Sequence, residues 1–361
     1  MRVRAALVLV SLLALACGGG STAPAGDGGV ATDGGLSAGD CPSGLSKKVI
    51  AGVEMCTRTP TQEAIAYDEG TDTTTCGDPV TPIDMSCYTT PATAPALPAT
   101  ITIEGFVDTF GLEKATTGVT VEVQRPDGTV ISTVASNANH RCARTKTVGT
   151  KTVILAGYTI PNVPTNQLVV FKNSGPEFRN TYSFGQHFDT TECQTPAPVT
   201  DDTCHSGCFT RNGQIILRHD TNAISNQTWT LIPLTAGYNR GIARGNAAFA
   251  GQIHDCKDNQ LKGAAIGFQP TANAKVMTYF NGNCEDPNAN ISVPFSNRDS
   301  LYAGLDATPT TGAGVKVTAE ALVGGVLKNV GLWDLKLYPD SVSLLTLHKP
   351  VPTVIPADGG M

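Results

Sequence analysis

The chain has 361 residues, with 25 basic and 31 acidic side chains and a formal charge of −6. Only 16% of its residues are charged and no basic stripe is present, which excludes nucleic acid as the expected partner. Glycine (38 residues) and proline (23 residues) are abundant, a composition that favours an exported, turn-rich β protein over a cytosolic helical one.

The N-terminus has the pattern of a signal peptide. Arg2 and Arg4 form a short basic region, and residues 5–16 form an apolar run of twelve residues. A helix needs about 20 apolar residues to span a bilayer, so this run is too short for a membrane span. Residues 1–16 are therefore predicted to be removed, which lowers the basic count to 23 and gives the mature chain a charge of −8.

The end of this run, Leu13-Ala14-Leu15-Ala16-Cys17, resembles the lipobox of bacterial lipoproteins, although Ala14 stands where the family usually has Leu or Val. The resemblance implies cleavage before Cys17 and a diacylglycerol on its sulfur. The alternative is an ordinary signal peptide cut after Ala16, which would leave a plain thiol. Gly18 is not the aspartate that retains such lipoproteins in the inner membrane, so the resemblance implies an outer-membrane location, on either of its sides.

Residues 17–40 form the predicted tether. The segment after Cys17 consists mainly of Gly, Ser, Ala, Thr and Asp and has almost nothing to bury. A flexible coil of this length has a root-mean-square reach of about 25–30 Å. The tether is thus expected to hold the folded part clear of the membrane surface.

Ten further cysteines match an exported protein in an oxidising compartment, with up to five disulfides. Sequence alone does not determine their connectivity, and our preference is for pairs within separate segments. The expected pairs are Cys41–Cys56, Cys76–Cys87, Cys142–Cys193, Cys204–Cys208 and Cys256–Cys284.

After the tether, residues 41–88 are predicted to be a small Cys-rich segment held together by disulfides. Its one run with helical character is Gln62–Asp68. Residues 89–99 (TTPATAPALPA) are predicted to be an extended Pro/Ala-rich linker.

Residues 100–192 are predicted to form a β-sandwich. Thr100–Val107 alternates apolar and polar residues, as does Val119–Gln124, which is followed by Pro126-Asp127-Gly128 and a second run, Thr129–Val134. Strand, Pro-Asp-Gly turn and strand predict a hairpin, because proline fixes φ at one corner and glycine accepts a positive φ at the next. Further short strands are expected at Val153–Leu155, Tyr158–Ile160 and Leu168–Phe171.

Residues 193–246, with apolar runs at Gln214–Leu217 and Trp229–Leu234, are interpreted as a β-rich connector or as a hairpin added to one of the neighbouring domains. Residues 247–348 repeat the pattern of the first sandwich and are predicted to form a second one. Its expected later strands are Val276–Phe280, Val315–Leu322, Val330–Leu337 and Val342–Leu347. Residues 349–361 have no pattern and are expected to be a loose tail.

Two pairs of glycines carry the internal repeat. Gly105 and Gly251 lie in the first strand of each copy, and Gly118 and Gly263 open an apolar second strand. In the first copy, Gly157–Pro164 has a Gly-aromatic start and a Val-Pro end, a corner that the second copy lacks. The two copies resemble the carboxypeptidase regulatory-like domain, a transthyretin-like sandwich. The resemblance implies an all-β chain with two tandem seven-stranded-type β-sandwich domains beside a small Cys-rich N-terminal segment.

This resemblance concerns turn and core positions, so it implies a fold and hardly any function. In zinc carboxypeptidases the sandwich accompanies a catalytic domain with a His-x-x-Glu pair, and none of the six histidines here has a glutamate three residues on. One Gly-x-Ser-x-Gly string contains Ser37, but a nucleophile elbow needs a strand before the serine and a helix after it, whereas Ser37 lies in the tether. No catalytic residue is predicted.

Two clusters are candidates for metal ligands. The cysteines and histidine of Cys204-His205-Ser206-Gly207-Cys208 have zinc-ligand chemistry but no second pair, so a disulfide is favoured. Glu285 and Asp286 lie in an oxygen-rich loop that lacks the spacing of a known calcium motif, so a plain turn is favoured. No metal or cofactor is therefore predicted.

Two His-Asp pairs, His219-Asp220 and His254-Asp255, offer a base beside a carboxylate. Adjacent residues of a strand point to opposite faces, so neither pair is aligned for a hydrogen bond. Both are interpreted as surface polar residues.

The sequence thus predicts a non-catalytic lipoprotein of the cell envelope, anchored in the outer membrane through Cys17. Its sandwich modules are expected to bind an envelope protein or a surface polysaccharide, or to serve a structural role. The alternatives are a hydrolase on the exported side with an accessory sandwich, and a metal- or ligand-binding lipoprotein.

Overall fold

The computed structural model of the chain describes residues 40–68, 79–89, 93–95, 97–110, 114–148, 151–188, 193–282, 288–348, 350 and 353–355. All of them belong to one unit, Leu36–Met361. The expectations for the signal peptide, Cys17 and the tether to residue 39 lie outside the described residues.

Strands dominate the described chain. The N-terminal strands are β1 Ser46–Ile50, β2 Val53–Thr57, β3 Ile65–Tyr67, β4 Val80–Thr81 and β5 Thr93–Pro95. The next are β6 Thr100–Phe110, β7 Thr120–Gln124, β8 Val130–Ala135, β9 Arg144–Val148, β10 Lys151–Leu155, β11 Gly157–Pro164, β12 Val169–Gly175 and β13 Phe178–Gln186.

The middle of the chain contains β14 Ala197–Pro198, β15 Cys208–Arg211, β16 Gln214–Arg218, β17 Thr221–Ser225 and the helix α1 Asn226–Thr235. The remaining strands are β18 Ala247–Gly251, β19 Gln260–Lys262, β20 Ala265–Phe268, β21 Val276–Phe280, β22 Ala289–Asn290, β23 Tyr302–Ala307, β24 Val315–Val323, β25 Val326–Leu335, β26 Ser341–Leu344 and β27 Thr353–Ile355. Short 3-10 turns occur at Ser86–Tyr88 and Pro270–Ala272.

The first half of the chain forms a β-sandwich, as predicted. Strand β6 pairs antiparallel with β11 and parallel with β16 and β17. Facing it are β8, β7, β12 and β13, in that order. Side chains from both layers share one core, with Ile103, Val121, Tyr158 and Phe171 fully buried. The predicted hairpin is confirmed, because β7 pairs with β8 across a turn in which Gly128 has φ 96°.

The second half forms the second layered core. Strand β18 pairs antiparallel with β23 and parallel with β26, and β21 pairs with β23. The opposing sheet has the order β1-β2-β20-β24-β25. Phe249, Phe268 and Tyr302 are fully buried between the two layers. The all-β sandwich class predicted from the sequence is therefore confirmed.

The Cys-rich segment 41–88 does not form a separate module. Strand β2 pairs with β20, and β3 pairs with β19 and β4, so the segment extends the sheets of the second half. The run Gln62–Asp68, for which helical character was expected, contains strand β3 instead, because its main-chain groups pair with β19. The linker and the tail also pair with each other, since β5 and β27 form a parallel two-stranded sheet.

The connector 193–246 matches the predicted alternative of a hairpin added to a neighbour, because β15 pairs with β16 and β16 pairs with β6. Strands β16 and β17 lie beside β6 and complete the first sandwich. The connector differs from the prediction at its second apolar run. The apolar run Trp229–Leu234 lies in helix α1, not in a strand. The Ser225 side chain caps this helix by accepting a hydrogen bond from Thr228 N at 3.0 Å.

At the first-strand glycine of the first repeat, Gly105, two segments of the backbone pass very close to each other. Gly105 pairs with Tyr158, whose hydroxyl donates to the carbonyl oxygen of His219 at 2.7 Å. A Cβ atom on Gly105 would lie 1.9 Å from that same oxygen. Only glycine therefore allows the segment that joins β16 to β17 to lie against β6.

The second repeat reproduces this arrangement atom for atom. Gly251 pairs with Tyr302, and the Tyr302 hydroxyl donates to the carbonyl oxygen of Leu345 at 2.6 Å. A Cβ atom on Gly251 would again lie 1.9 Å from the carbonyl oxygen. The predicted equivalence of the two first-strand glycines is confirmed.

The second glycine pair is also equivalent. Gly118 N donates to Ser136 O at 2.9 Å and Gly263 N donates to Ser296 O at 2.8 Å. Both glycines have a positive φ, 79° and 87°. The repeat seen in the sequence thus corresponds to matched hydrogen bonds in the two halves.

Candidate functional site

Several residues singled out in the sequence lie outside the described chain. They are Cys17, Ser37, Cys76, Cys284, Glu285 and Asp286. Lipid attachment at Cys17 stays a prediction, as does the plain turn favoured over a calcium site at Glu285 and Asp286.

The Cys204-His205-Cys208 cluster is divided between two disulfides. Cys204 bonds to Cys142 and Cys208 bonds to Cys193, so the predicted pairs Cys204–Cys208 and Cys142–Cys193 are wrong. The reason is that Cys208 begins strand β15, whereas Cys204 lies on the preceding loop and faces a different neighbour. His205 Nε2 contacts Asp201 Oδ1 at 2.5 Å.

The Cys142–Cys204 disulfide also accounts for the one metal-like cluster among the described residues. A carboxylate oxygen of Glu104 and the sulfurs of Cys142 and Cys204 lie within 4.8 Å of one another. Both sulfurs are bonded to each other and offer no thiolate, and Glu104 is already paired with arginines. The cluster in this state has the chemistry of a cross-link.

The two remaining described disulfides confirm one predicted pair and contradict two others. Cys41–Cys56 is confirmed. Cys87 bonds to Cys256, across 169 residues of sequence, so the predicted pairs Cys76–Cys87 and Cys256–Cys284 are wrong. The 3-10 turn at Cys87 lies beside Asp84, whose carbonyl oxygen accepts from Cys256 N at 2.9 Å, and this contact brings the two segments together.

The His219-Asp220 pair faces two ways, as its sequence position predicts. The His219 ring lies between Phe171 and Phe188, with centroids 4.9 and 5.3 Å away, and burial lowers the pKa of His219 to about 4. The Asp220 carboxylate accepts from Phe106 N at 3.0 Å and from Arg218 Nε at 2.7 Å. The two side chains are thus held apart, and each has a packing role.

The His254-Asp255 pair is also held apart, but the two residues are 4% and 0% exposed, so the prediction that they lie on the surface is wrong. His254 Nδ1 contacts Asp258 at 2.7 Å. The fully buried Asp255 carboxylate accepts from Asp84 N, Lys257 N and Asn259 N at 2.9–3.0 Å. Asp255 therefore fastens the N-terminal segment to the second sandwich.

A buried ion cluster on β6 is the feature that the sequence analysis missed. The side chain of Glu104 is 0% exposed, and it accepts from Arg141 Nε at 2.7 Å and from Arg211 at 3.1 Å. Arg211 also donates to the carbonyl oxygens of Asp201 and Thr203. The cluster therefore binds the loop before β15 to the first sandwich.

Glu104 alternates with Ile103 and so points away from the core of the sandwich. The sequence pattern therefore placed it in water. The side chains of Arg141 and Arg211 and the Cys142–Cys204 disulfide cover that face instead. No local signal in the sequence predicts this cover.

A cleft of about 360 Å³ lies between the two halves. Its walls come from β12, β13 and β25, and its lining includes Leu168, Val170, Phe184, Trp333, Asp334 and Pro350. Trp333 Nε1 is buried without a hydrogen-bond partner among the described residues. The walls are mainly apolar, and Asp334 is paired with Lys316 at 2.7 Å. Such a cleft suits an apolar group of a ligand better than it suits acid–base chemistry.

Asp299 is a buried acid whose pKa is raised. It is 5% exposed, one carboxylate oxygen accepts from Leu301 N at 3.2 Å, and the other has no partner in the described chain. Burial raises the pKa of Asp299 to about 6. This value suits a proton-transfer group, but the hydrogen bond described for the carboxylate comes from a main-chain amide.

Within the described residues, no helix is long and apolar enough to cross a membrane. Comparison with known proteins adds little. No family model and no curated protein matches the chain. A solved structure with detectable similarity is the major pilin subunit of Bacillus cereus, at 8% identity over 66% of this chain and 69% of that one, with a TM-score of 0.18. A TM-score this low carries no argument, so the β-sandwich assignment depends on the sheets described above.

Proposed function

We propose that the protein is a non-catalytic lipoprotein of the cell envelope, anchored through Cys17 in the outer membrane, whose sandwich modules bind a partner protein or glycan. The observation that carries the proposal is that its acidic and cysteine side chains form hydrogen bonds and disulfides that join distant segments. Glu104, Asp220 and Asp255 each accept hydrogen bonds from distant segments, and Cys204 and Cys208 cross-link two others. These groups stabilise a scaffold.

Export is supported by the cysteines. Eight of them form four disulfides in the described chain, and such bonds persist mainly in oxidising compartments. The lipobox-like sequence before Cys17 and the coil-like composition after it support a tethered form. We further propose that the two halves are related to the carboxypeptidase regulatory-like domain, for which the matched glycines are the support.

The cleft between the halves is the proposed contact for the partner. It joins strands from both sandwiches, so a ligand there would contact both modules at once. Its apolar lining around Trp333 suits an apolar side chain or the apolar face of a sugar.

The test is cross-linking and pull-down of the tagged protein from intact cells, beside a Cys17→Ser version. The expected result is one dominant protein or glycan, captured less without the lipid. Leu332 also lines the cleft, and a Leu332→Asp version should lose the partner while it keeps the thermal transition of the parent. Failure of both versions to capture anything, together with turnover of a polymer or peptide by the purified chain, would overturn the proposal in favour of a hydrolase.

A further inference from the structure

A second cleft lies where the start of β13 meets β17, β26 and the start of helix α1. Its volume is about 420 Å³, within the range of about 300–1,000 Å³ that is typical of small-ligand sites. Arg179 pairs with Ile224 of β17, and Asn180 pairs with Ser341 of β26. We call this site the β13 cleft. Its polar lining consists of Arg179, Asn180, Asn226 and Asp340.

Arg179 is the cation of the β13 cleft. Its guanidinium lies 5.2 Å from the buried ring of Trp229, which holds it in place, and its Nε atom is buried. Within the described chain, the Arg179 side chain makes neither a hydrogen bond nor an ion pair. Arg141, Arg211 and Arg218, by contrast, each donate to a carboxylate.

A partly buried charge without an opposite charge is unfavourable, because the loss of its hydration is not compensated. The strands and the Trp229 ring keep the Arg179 guanidinium in this position all the same. An anionic group in the β13 cleft would supply the missing partner, and arginine binds carboxylates through two parallel hydrogen bonds.

The other polar groups of the cleft suit a ligand that carries hydroxyl groups. The Asn226 amide is fixed because its Nδ2 donates to Pro176 O at 3.1 Å, and the Asn180 side chain is exposed. One oxygen of Asp340 accepts from Gly245 N at 3.0 Å, so the other can accept from a hydroxyl. The two amides can donate to a hydroxyl oxygen or accept from a hydroxyl hydrogen.

The Asp340 carboxylate also discriminates between anions. A sulfate or a phosphodiester has no hydrogen to donate, so Asp340 would repel it. A sugar acid has a single negative charge and several hydroxyl donors, so it can satisfy Arg179 and Asp340 together. Glu177, next to the lining residues in the chain, is paired with Lys114 at 3.0 Å.

We propose that the β13 cleft binds a uronate unit of an acidic polysaccharide. The sugar carboxylate lies on the Arg179 guanidinium, and the ring hydroxyls bond to Asn180, Asn226 and Asp340. Pro176 and Pro339 supply apolar walls for the carbons of the sugar ring. This site is separate from the cleft that contains Trp333, and it needs no lipid anchor.

The test is isothermal titration calorimetry of the purified chain with two uronate oligomers, tetragalacturonate and tetramannuronate. They share the carboxylate and differ in their ring hydroxyls. The comparison ligands are neutral maltotetraose and the acidic peptide tetraglutamate. We expect at least one uronate to bind at least about tenfold more tightly than either comparison ligand, because it alone offers both a charge and hydroxyls. Its affinity should fall as salt rises from about 0.02 M to about 0.5 M.

Substitutions of Arg179 test the assignment. Arg179→Gln is expected to lower the affinity for the uronate at least about tenfold. Arg179→Lys should retain part of the affinity, since it keeps the charge and loses the paired hydrogen bonds. The matched control is Arg144→Gln, because Arg144 also lies on an aromatic ring, 3.6 Å from the Phe106 centroid, but has Asp108 at 3.8 Å. The control should bind as the parent does, and each variant must keep the thermal transition of the parent.

Binding of neither uronate, equal binding of maltotetraose, or an equal loss in Arg144→Gln would each overturn the proposal. Tighter binding of tetraglutamate would overturn it in favour of an acidic protein partner. Leu332→Asp, in the cleft that contains Trp333, should bind the uronate as the parent does. Failure at the β13 cleft therefore leaves the function proposed above to its own test.

Discussion

Two buried side chains have pKa values shifted in opposite directions by the same cause. Burial disfavours the charged form of each, which lowers the pKa of His219 from 6.5 to about 4 and raises that of Asp299 from 3.8 to about 6. Between about pH 4 and 6 the folded protein keeps His219 neutral while the unfolded chain protonates it. In the same range, the folded protein keeps Asp299 protonated while the unfolded chain ionises it.

These shifts predict opposing effects of pH on stability. His219 should lower the free energy of unfolding as pH falls from about 6.5 to 4, and Asp299 should lower it as pH rises from about 4 to 6. In urea unfolding, Asp299→Asn is expected to gain about 1–2 kcal/mol at pH 7 and little at pH 4. His219→Phe should remove the loss on the acid side. A pH profile unchanged in both variants would contradict this account.

Gly105 and Gly251 each make room for a carbonyl oxygen, so we expect alanine at either position to be severe. The clash with a backbone oxygen is expected to lower the free energy of unfolding by about 3 kcal/mol or more, because the overpacked backbone segments are held by their strand pairing. The control is Gly118→Ala, where φ is 79° but no atom lies within 4 Å of the new Cβ. Backbone strain alone there costs about 1–2 kcal/mol. Equal losses at Gly105 and Gly118 by urea unfolding would show that the close crossing is not decisive.

At the scale of elements, the buried Glu104 binds the hairpin β15–β16 and its preceding loop to β6. Removing one partner of a buried ion pair leaves the other charges buried and unpaired. Glu104→Ala is therefore expected to lower the free energy of unfolding by about 3–5 kcal/mol. Glu54→Ala breaks the exposed pair with Lys47 and should cost less than about 1 kcal/mol. The two losses are compared by urea unfolding, and limited proteolysis should cut the Glu104 variant first between β14 and β15. A loss similar to that of Glu54→Ala would assign the cluster a minor role.

Elements formed by local signals were predictable from the sequence, and those set by distant pairing were not. The Pro-Asp-Gly hairpin and the four repeat glycines depend on turn chemistry within a few residues. Strands β16 and β17 pair in parallel with β6, more than 100 residues earlier, and no local pattern encodes that choice. Helix α1 was missed because Thr, Ile and Trp in its sequence favour a strand and Pro233 disfavours a helix, while its cap and buried Trp229 override both.

At the scale of the whole molecule, one sheet runs through both sandwiches. Strand β13 of the first half pairs in parallel with β26 of the second. The Cys87–Cys256 disulfide joins the end of the N-terminal segment to the beginning of the second half. The sequence indicated two tandem domains because each copy has its own apolar pattern. The pairing between the copies uses main-chain groups, which leave no mark in that pattern.

The disulfides are expected to stabilise the fold unequally. In the chain-entropy account a bond that closes a longer loop restricts the unfolded chain more, which gives about 5 kcal/mol for Cys87–Cys256 and about 3 kcal/mol for Cys41–Cys56, with separations of 169 and 15 residues. Urea unfolding of Cys87→Ser with Cys256→Ser, beside Cys41→Ser with Cys56→Ser, measures the difference. A smaller loss for the long loop would show that local packing outweighs loop length.

The span between Cys87 and Cys256 also bears on the order of events during biogenesis. A chain made from its N-terminus presents Cys87, and then Cys142, long before Cys256 exists. Any thiol with which Cys87 pairs before Cys256 is synthesised is thus a wrong one. Correct maturation therefore depends on reshuffling by thiol–disulfide exchange, which takes seconds to hours. The pace at which functional protein accumulates should follow the supply of an isomerase more closely than the rate of chain collapse.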